Sequence, residues 1–265
     1  MLNSVSSLLP PGDPWRQNLH YFDSIGSTNT HARQLAAQGA PHGTVVLANM
    51  QTQGRGRMGR SFHSPTGQGI YLSVLLRPDC APTELMHLTC AAGVAMCDAV
   101  EKTCGVRPGV KWINDLVLNR RKIGGILAEL GFRPDGMTDF AIVGIGINCN
   151  QSSGDFPEEI KAMAGSLAML TGKRVDRGAL AAEMIRALQT MSDTLLTRKE
   201  DIMDVYRADC VTLGKPVRLL GNTAARGTSL DVDDNGGLIV ALQDGSVTIV
   251  QSGEVSVRGL YGYAD

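Results

Sequence analysis

The stretch Gln51-Thr52-Gln53-Gly54-Arg55-Gly56-Arg57-Met58-Gly59-Arg60 places three arginines and three glycines within the seven residues from Gly54 to Arg60. Glycine lets successive backbone N–H groups turn toward one point, and a guanidinium offers a rigid fork that fits carboxylate or phosphate. Such a loop can wrap an anion. On its own it should be mobile, because glycines broaden the free ensemble and three cations repel one another. A solvated basic loop and an RNA-binding arginine-glycine tract are the other readings of the same residues. Tracts of that kind usually repeat within disordered sequence, whereas this single copy stands between two strand-like runs.

A second cluster lies sixty residues on. Lys111-Trp112-Ile113-Asn114-Asp115 leads through Asn119-Arg120 into Arg121-Lys122-Ile123-Gly124-Gly125-Ile126-Leu127-Ala128-Glu129. Charged side chains on aliphatic strands are costly to bury unpaired, so these are candidates for facing a ligand. Taken singly, Asp115 also reads as a hairpin or capping residue and Lys122 as an edge-strand lysine. There is no Walker loop: Thr171-Gly172-Lys173-Arg174 has Leu167 where the first glycine belongs. The run Gly144-Ile145-Gly146-Ile147-Asn148 lacks a third glycine before a helix, which makes it weak evidence for a dinucleotide fold.

The elements that must position these residues are short and aliphatic. Residues 43–50, 69–77, 110–119, 121–130 and 139–150 read as strands, with a hairpin at Asn119-Arg120. Helices are expected over 28–38 behind a Ser27-Thr28 cap, over 83–103 stopping at Gly105, and over 177–197 behind Asp176. A shorter one is expected from Pro157 to Leu170. From about Leu213 the chain changes to VRLL, TSLDV, GLIVAL, SVTIV and EVSVR, five strand-like runs that suggest a small all-β module after an α+β domain.

Lys+Arg 25 against Asp+Glu 26 gives a formal charge of -1, so no global basic field draws nucleic acid, and an anion must be held locally. With 265 residues and 43% hydrophobic content, the chain can bury a substantial core. No stretch approaches the roughly 18 apolar residues of a membrane span, and the N-terminus lacks the pattern of a signal peptide. A cytoplasmic protein is expected. The six cysteines form no CxxC pair and read as reduced, buried thiols. His87, Cys90, Cys97 and Cys104 share a helical spacing, which suits ordinary core better than a metal site.

Taken in order, GSTN (26–29), QTQGRGRMGR (51–60), KWINDLVLNRRKIGGILAE (111–129) and GIGIN (144–148) resemble the biotin protein ligases, and the likeness continues through LGKPVRL (213–219) and GEVSVR (253–258). The resemblance implies a class II aminoacyl-tRNA synthetase-like catalytic domain with a mixed sheet and flanking helices over residues 1–212. An SH3-like β-barrel is implied over 213–265. It implies ATP and biotin as substrates, biotinyl-5′-AMP as the intermediate, and a specific lysine of a biotin carboxyl carrier protein as the acceptor. A lipoate or octanoyl transferase, the nearest alternative enzyme, would lack the arginine loop. A nucleic-acid-binding module is the alternative from another class.

By the same resemblance, Ser27, Thr28, Asn29, Gln51, Gly54, Arg55, Gly56, Arg57, Lys122 and Gly125 surround biotin and its adenylate. Arg60, Phe62, Lys111, Asn114 and Asn148 face ATP. Lys122, Arg57 and Asp115 are the catalytic candidates, and Mg²⁺ brought by ATP would sit near Asn114 and Asp115. Two positions depart from the family: Ile113 replaces a usual proline, and Phe62 an aromatic that is often tryptophan. About 20 residues precede the first motif, too few for the family's DNA-binding domain, so no DNA partner is expected. The family includes monomers and homodimers, and the residues do not choose between them.

Overall fold

The structure, a computed structural model, describes residues 4–220, 225–251 and 256–259. Seven strands form one sheet: β1 (Leu19–Phe22), β2 (Thr44–Ala48), β3 (Gly69–Leu76), β4 (Gly109–Lys111), β5 (Asp115–Leu118), β6 (Arg121–Phe132) and β7 (Thr138–Asn148). Their spatial order is β1-β2-β3-β7-β6-β5-β4, parallel only between β1 and β2. The helices are α1 (Val5–Leu8), α2 (Pro14–Gln17), α3 (Thr28–Ala37), α4 (Leu88–Cys104), α5 (Glu158–Lys161), α6 (Leu167–Thr171), α7 (Arg177–Thr194) and α8 (Lys199–Asp209). A second, antiparallel sheet holds β8 (Pro216–Leu220), β9 (Ala225–Val232), β10 (Leu238–Leu242), β11 (Val247–Val250) and β12 (Ser256–Gly259), in the order β11-β10-β9-β8-β12.

β2 and β3 are buried at every residue because helices cover both faces of the large sheet. One face packs against α4, which packs in turn on α7 and α8. On the other, Ala32 and Ala36 of α3 meet Val46, Leu75, Phe140 and Ile142. Strand alternation then decides the fate of GIGIN. Ile145 and Ile147 point into the main core, whereas Gly144, Gly146 and Asn148 continue the Phe140–Ile142 face beyond the start of α3. There the sheet is paved with glycine instead of covered by a helix.

Several elements differ from the sequence expectation. Residues 110–119 are two strands, since the chain turns at Trp112–Asn114 and Ile126 N–H bonds back to Asn114 O at 2.9 Å. The expected helix at 83–103 begins only at Leu88, the residues before it forming a 3-10 turn in which Glu84 caps Ala81 N–H at 2.9 Å. The helix expected over 157–170 is broken, because Met163 O and Gly165 N–H pair with the backbone of Lys122 at 2.8 and 2.9 Å. The hairpin at Asn119-Arg120 is present, both residues having positive φ. Ser256, Val257 and Arg258 of the expected EVSVR strand fall in β12; Glu254 and Val255 lie outside the described residues.

Candidate active site

A cavity of about 580 Å³ opens over the glycine-paved part of the large sheet. Register aligns its floor: Gly146 of β7 lies between Tyr71 of β3 and Gly125 of β6, and Gly125 lies opposite Asp115 of β5. The missing side chains are structurally required. A Cβ at Gly146 would collide with the Phe62 ring, and one at Gly144 with the Asn29 amide. Phe62 lies over Gly146 and meets Tyr71 edge-on, with ring centroids 6.4 Å apart.

The start of α3 forms one end. Ser27 caps the helix, and Thr28 N–H and Oγ1–H both donate to Gln51 Oε1, at 2.8 and 3.0 Å. Gln51 Nε2 donates to Ser64 Oγ at 3.1 Å, tying the helix start to the chain that follows the arginine loop. Asn29 Oδ1 is 2.6 Å from Ser73 Oγ, and its Nδ2 donates to Leu127 O and to Glu129 Oε2 at 3.2 and 2.8 Å. Ser27, Thr28 and Asn29 are all buried, so these bonds meet groups that water does not reach.

The arginine loop folds as a small hairpin. Arg55 bridges to Ser61, Gly56 N–H donates to Arg60 O at 2.7 Å, and Met58 and Gly59 make the reversal with φ of 56° and 73°. Its arginines have different surroundings. Arg55 forks the Glu129 carboxylate, Nη1 to Oε2 at 3.1 Å and Nη2 to Oε1 at 3.0 Å. Arg57 Nη1 donates to a neutral group, Asn114 Oδ1, at 2.9 Å. Burial pulls the Arg57 guanidinium below its ordinary value, and the nearby Asp115 carboxylate works against that pull. A half-buried cation held by an amide keeps its charge for an anionic partner.

Across the floor, a bulge between β5 and β6 sets Lys122 opposite Val117 while Gly124 faces Leu116. The bulge swings the Lys122 side chain over Gly125, so its Nζ donates to Asp115 Oδ1 at 2.5 Å. Asn114 Nδ2 donates to the same carboxylate oxygen at 3.2 Å. Arg57, Asn114, Asp115 and Lys122 thus form one hydrogen-bonded chain along the wall.

Every residue proposed from the sequence lines this cavity except Gly54. Gly54 sits behind the loop, where the lack of a side chain admits Phe62 O and Ser64 Oγ. Sequence reading missed the apolar wall of Phe156, Ile160, Met163 and Ala164, along with Trp112, Leu127 and Gly144. Phe156 precedes α5, Ile160 lies in it, and Met163 and Ala164 follow it; the signal in the sequence was the apolar spacing of Phe156, Ile160 and Met163. Among the described residues, Asp115 is the one carboxylate in the lining. Among the described residues no group of three or more His, Cys, Asp or Glu could cage a metal. That donor set suits an ion that arrives on phosphate and keeps its waters, as Mg²⁺ does.

A model of the biotin/lipoate A/B protein ligase family matches residues 21–148, and one of the biotin protein ligase C terminal domain matches 212–258. The chain is 34% identical over 255 residues to the biotin–[acetyl-CoA-carboxylase] ligase of Mycobacterium tuberculosis, which covers 94% of this chain and 91% of that one. It is 35% identical over 231 residues to the bifunctional ligase/repressor BirA of Bacillus subtilis, covering 86% of this chain and 71% of that one. The biotin protein ligase from Aquifex aeolicus, solved in complex with biotin and ATP, has a TM-score of 0.77 and 31% identity over 92% of this chain and 99% of its own.

Proposed function

The chain belongs to the biotin protein ligase family, and from that membership we propose that its cavity joins biotin to ATP and then delivers the biotin to a carboxyl carrier protein. It is an ATP-dependent biotin ligase. In the first step a biotin carboxylate oxygen attacks the ATP α-phosphorus; a P–O bond forms, pyrophosphate leaves, and biotinyl-5′-AMP results. Two anions must meet for this to happen, and cations with fixed positions lower that barrier. Lys122 and Arg57 are those cations in our reading, lying at opposite ends of one hydrogen-bonded chain. This shared chain is the observation that carries the assignment.

In the second step a neutral lysine amine of the carrier attacks the acyl carbon. A C–N bond forms, the bond to AMP breaks, and the amine sheds a proton. In this reading Lys122 turns from Asp115 to the reacting anions, and the Asp115 carboxylate orients the incoming amine. Ser27, Thr28, Asn29, Gln51, Arg55, Gly56 and Gly125 surround biotin, and Gly54 lets the loop close behind it. Arg60, Phe62, Lys111 and Asn148 face the nucleotide. Mg²⁺ carried by ATP would be held beside Asn114 and Asp115 and would neutralise phosphate charge.

The same reading assigns residues 1–212 to a class II aminoacyl-tRNA synthetase-like catalytic domain and 213–265 to an SH3-like barrel. The free cysteines suit a reducing cytoplasm. Incubation with ATP, Mg²⁺, biotin and a carrier domain should biotinylate one carrier lysine, and lipoate should fail to compete. Carrier left unmodified while a known ligase modifies it would refute the assignment.

A further inference from the structure

Glu129 does not line the cavity, yet three parts of the site meet at its carboxylate. It stands on the same strand face as Gly125 and Leu127, one alternation beyond the floor. Asn29 Nδ2 reaches Oε2 at 2.8 Å, the Arg55 fork engages both oxygens, and Arg33 of α3 lies 3.6 Å from Oε1. The Glu129 side chain is 16% exposed, while the two arginines are nearly half exposed. A mostly buried carboxylate gripped bidentately differs from the ordinary solvated surface pair.

Between Arg55 and Arg60, three side-chain hydrogen bonds among the described residues hold the loop to the site: the two of the Arg55 fork to Glu129, and Arg57 to Asn114. Arg57 faces the reacting phosphate in this scheme, so its bond to Asn114 sits beside the chemistry. The Arg55–Glu129 pair touches no reacting atom in this scheme, so it can hold through both half-reactions. Resting on the assignment of this cavity to biotinyl-5′-AMP, we infer that Glu129 is a positioning residue, a latch whose grip on Arg55 keeps the glycine-rich loop shut over the intermediate. The same carboxylate sets Asn29, whose amide lies against Gly144 in the floor.

Glu129→Gln keeps an acceptor for Asn29 and removes the charge that Arg55 grips. The enzyme would be loaded with biotin and ATP without carrier and freed of small molecules. Escape of biotinyl-5′-AMP would then be timed. Glu129→Gln should lose the intermediate about tenfold faster and raise the biotin KM several-fold, with kcat at saturating biotin within about twofold of wild type. Arg55→Gln, at an exposed side chain, should leak similarly, Arg55→Lys should leak less, and adding Arg55→Gln to Glu129→Gln should change escape by less than about twofold. Either single variant holding the intermediate as long as wild type, or effects of the two substitutions that multiply, would overturn the latch. Should Glu129→Gln fail to fold, the two Arg55 variants decide it, and equal retention by Arg55→Gln and Arg55→Lys would count against the latch. Wild type forming no adenylate at all would instead overturn the function assigned to the cavity.

Discussion

At the residue scale the chemistry rests on charges held ready by neighbours. Lys122 is held over Gly125 by Asp115, and Arg57 is held in place by the Asn114 amide. Lys122→Ala should cut biotin-dependent pyrophosphate release by about 100- to 1,000-fold, the range found when one preorganised charge-stabilising group is removed. Release at the wild-type rate would exclude Lys122 from the first step. Arg57→Gly should still form the intermediate but lose it to solvent, detected as carrier-independent biotinylation of bystander lysines; retention equal to wild type would deny Arg57 a role at the phosphate. These residues could be read from the sequence because four motifs in the order of a known family carry them; alone, Lys122 reads as an edge-strand lysine and Asp115 as a capping residue. The Glu129 partnership could not: Arg55 and Glu129 are 74 positions apart, and only the β6–β7 register brings the carboxylate to the loop.

At the element scale the decisive feature is alternation along β7, which sends isoleucines to the core and glycines to the cavity. Gly144→Ala should force the Asn29 amide aside, costing about 1–3 kcal/mol of stability as an overpacked site and raising the biotin KM. An unchanged melting midpoint and KM would contradict this. The twice-buried strands were readable as unbroken aliphatic runs. The turn within KWIND and the break at Met163–Gly165 were not, because both depend on backbone partners supplied by β6. α8 was overlooked although Ile202, Met203 and Tyr206 recur at helical spacing amid its charges.

α4 carries a pH effect. His87, at its N-cap, is fully buried, and burial holds its imidazole below the usual range while Nε2 bonds Leu195 O at 2.9 Å. The unfolded chain takes up a proton near pH 6.5, whereas the native state resists it. Stability should therefore be full above about pH 6.5 and decline as pH falls from there toward the lowered native pKa. His20 and His42 are shifted in the same direction and add to the slope. In urea titrations from pH 7 to 5, His87→Gln should flatten that decline; an unaltered slope would remove His87 from the account.

At the scale of the whole molecule, the small sheet is fastened to the turn between β4 and β5, which lines the site. Trp112 lines the cavity, and its Nε1–H donates to Gly236 O in the turn between β9 and β10 at 2.9 Å. From α8, Arg207 bonds Val232 O and pairs with Asp234, and Lys199 reaches Asn235 at 2.6 Å. Trp112→Phe keeps an aromatic side chain, though a smaller one, and leaves that buried carbonyl unpaired, which should cost about 1–3 kcal/mol and raise the ATP KM more than the biotin KM. Equal effects on both would separate the turn from the nucleotide side. The β texture of the C-terminal region was evident from five short runs, but its contact with Trp112 was not, since 124 positions separate donor and acceptor.

The most direct test leaves the carrier out. Protein mixed with biotin, ATP and Mg²⁺, passed through a desalting column and analysed by mass spectrometry should retain one biotinyl-5′-AMP per chain, with one pyrophosphate released for each. Protein that comes through the column with unreacted biotin and intact ATP, or with neither, would contradict the claim that Lys122 and the arginine loop bring the two anions to reaction.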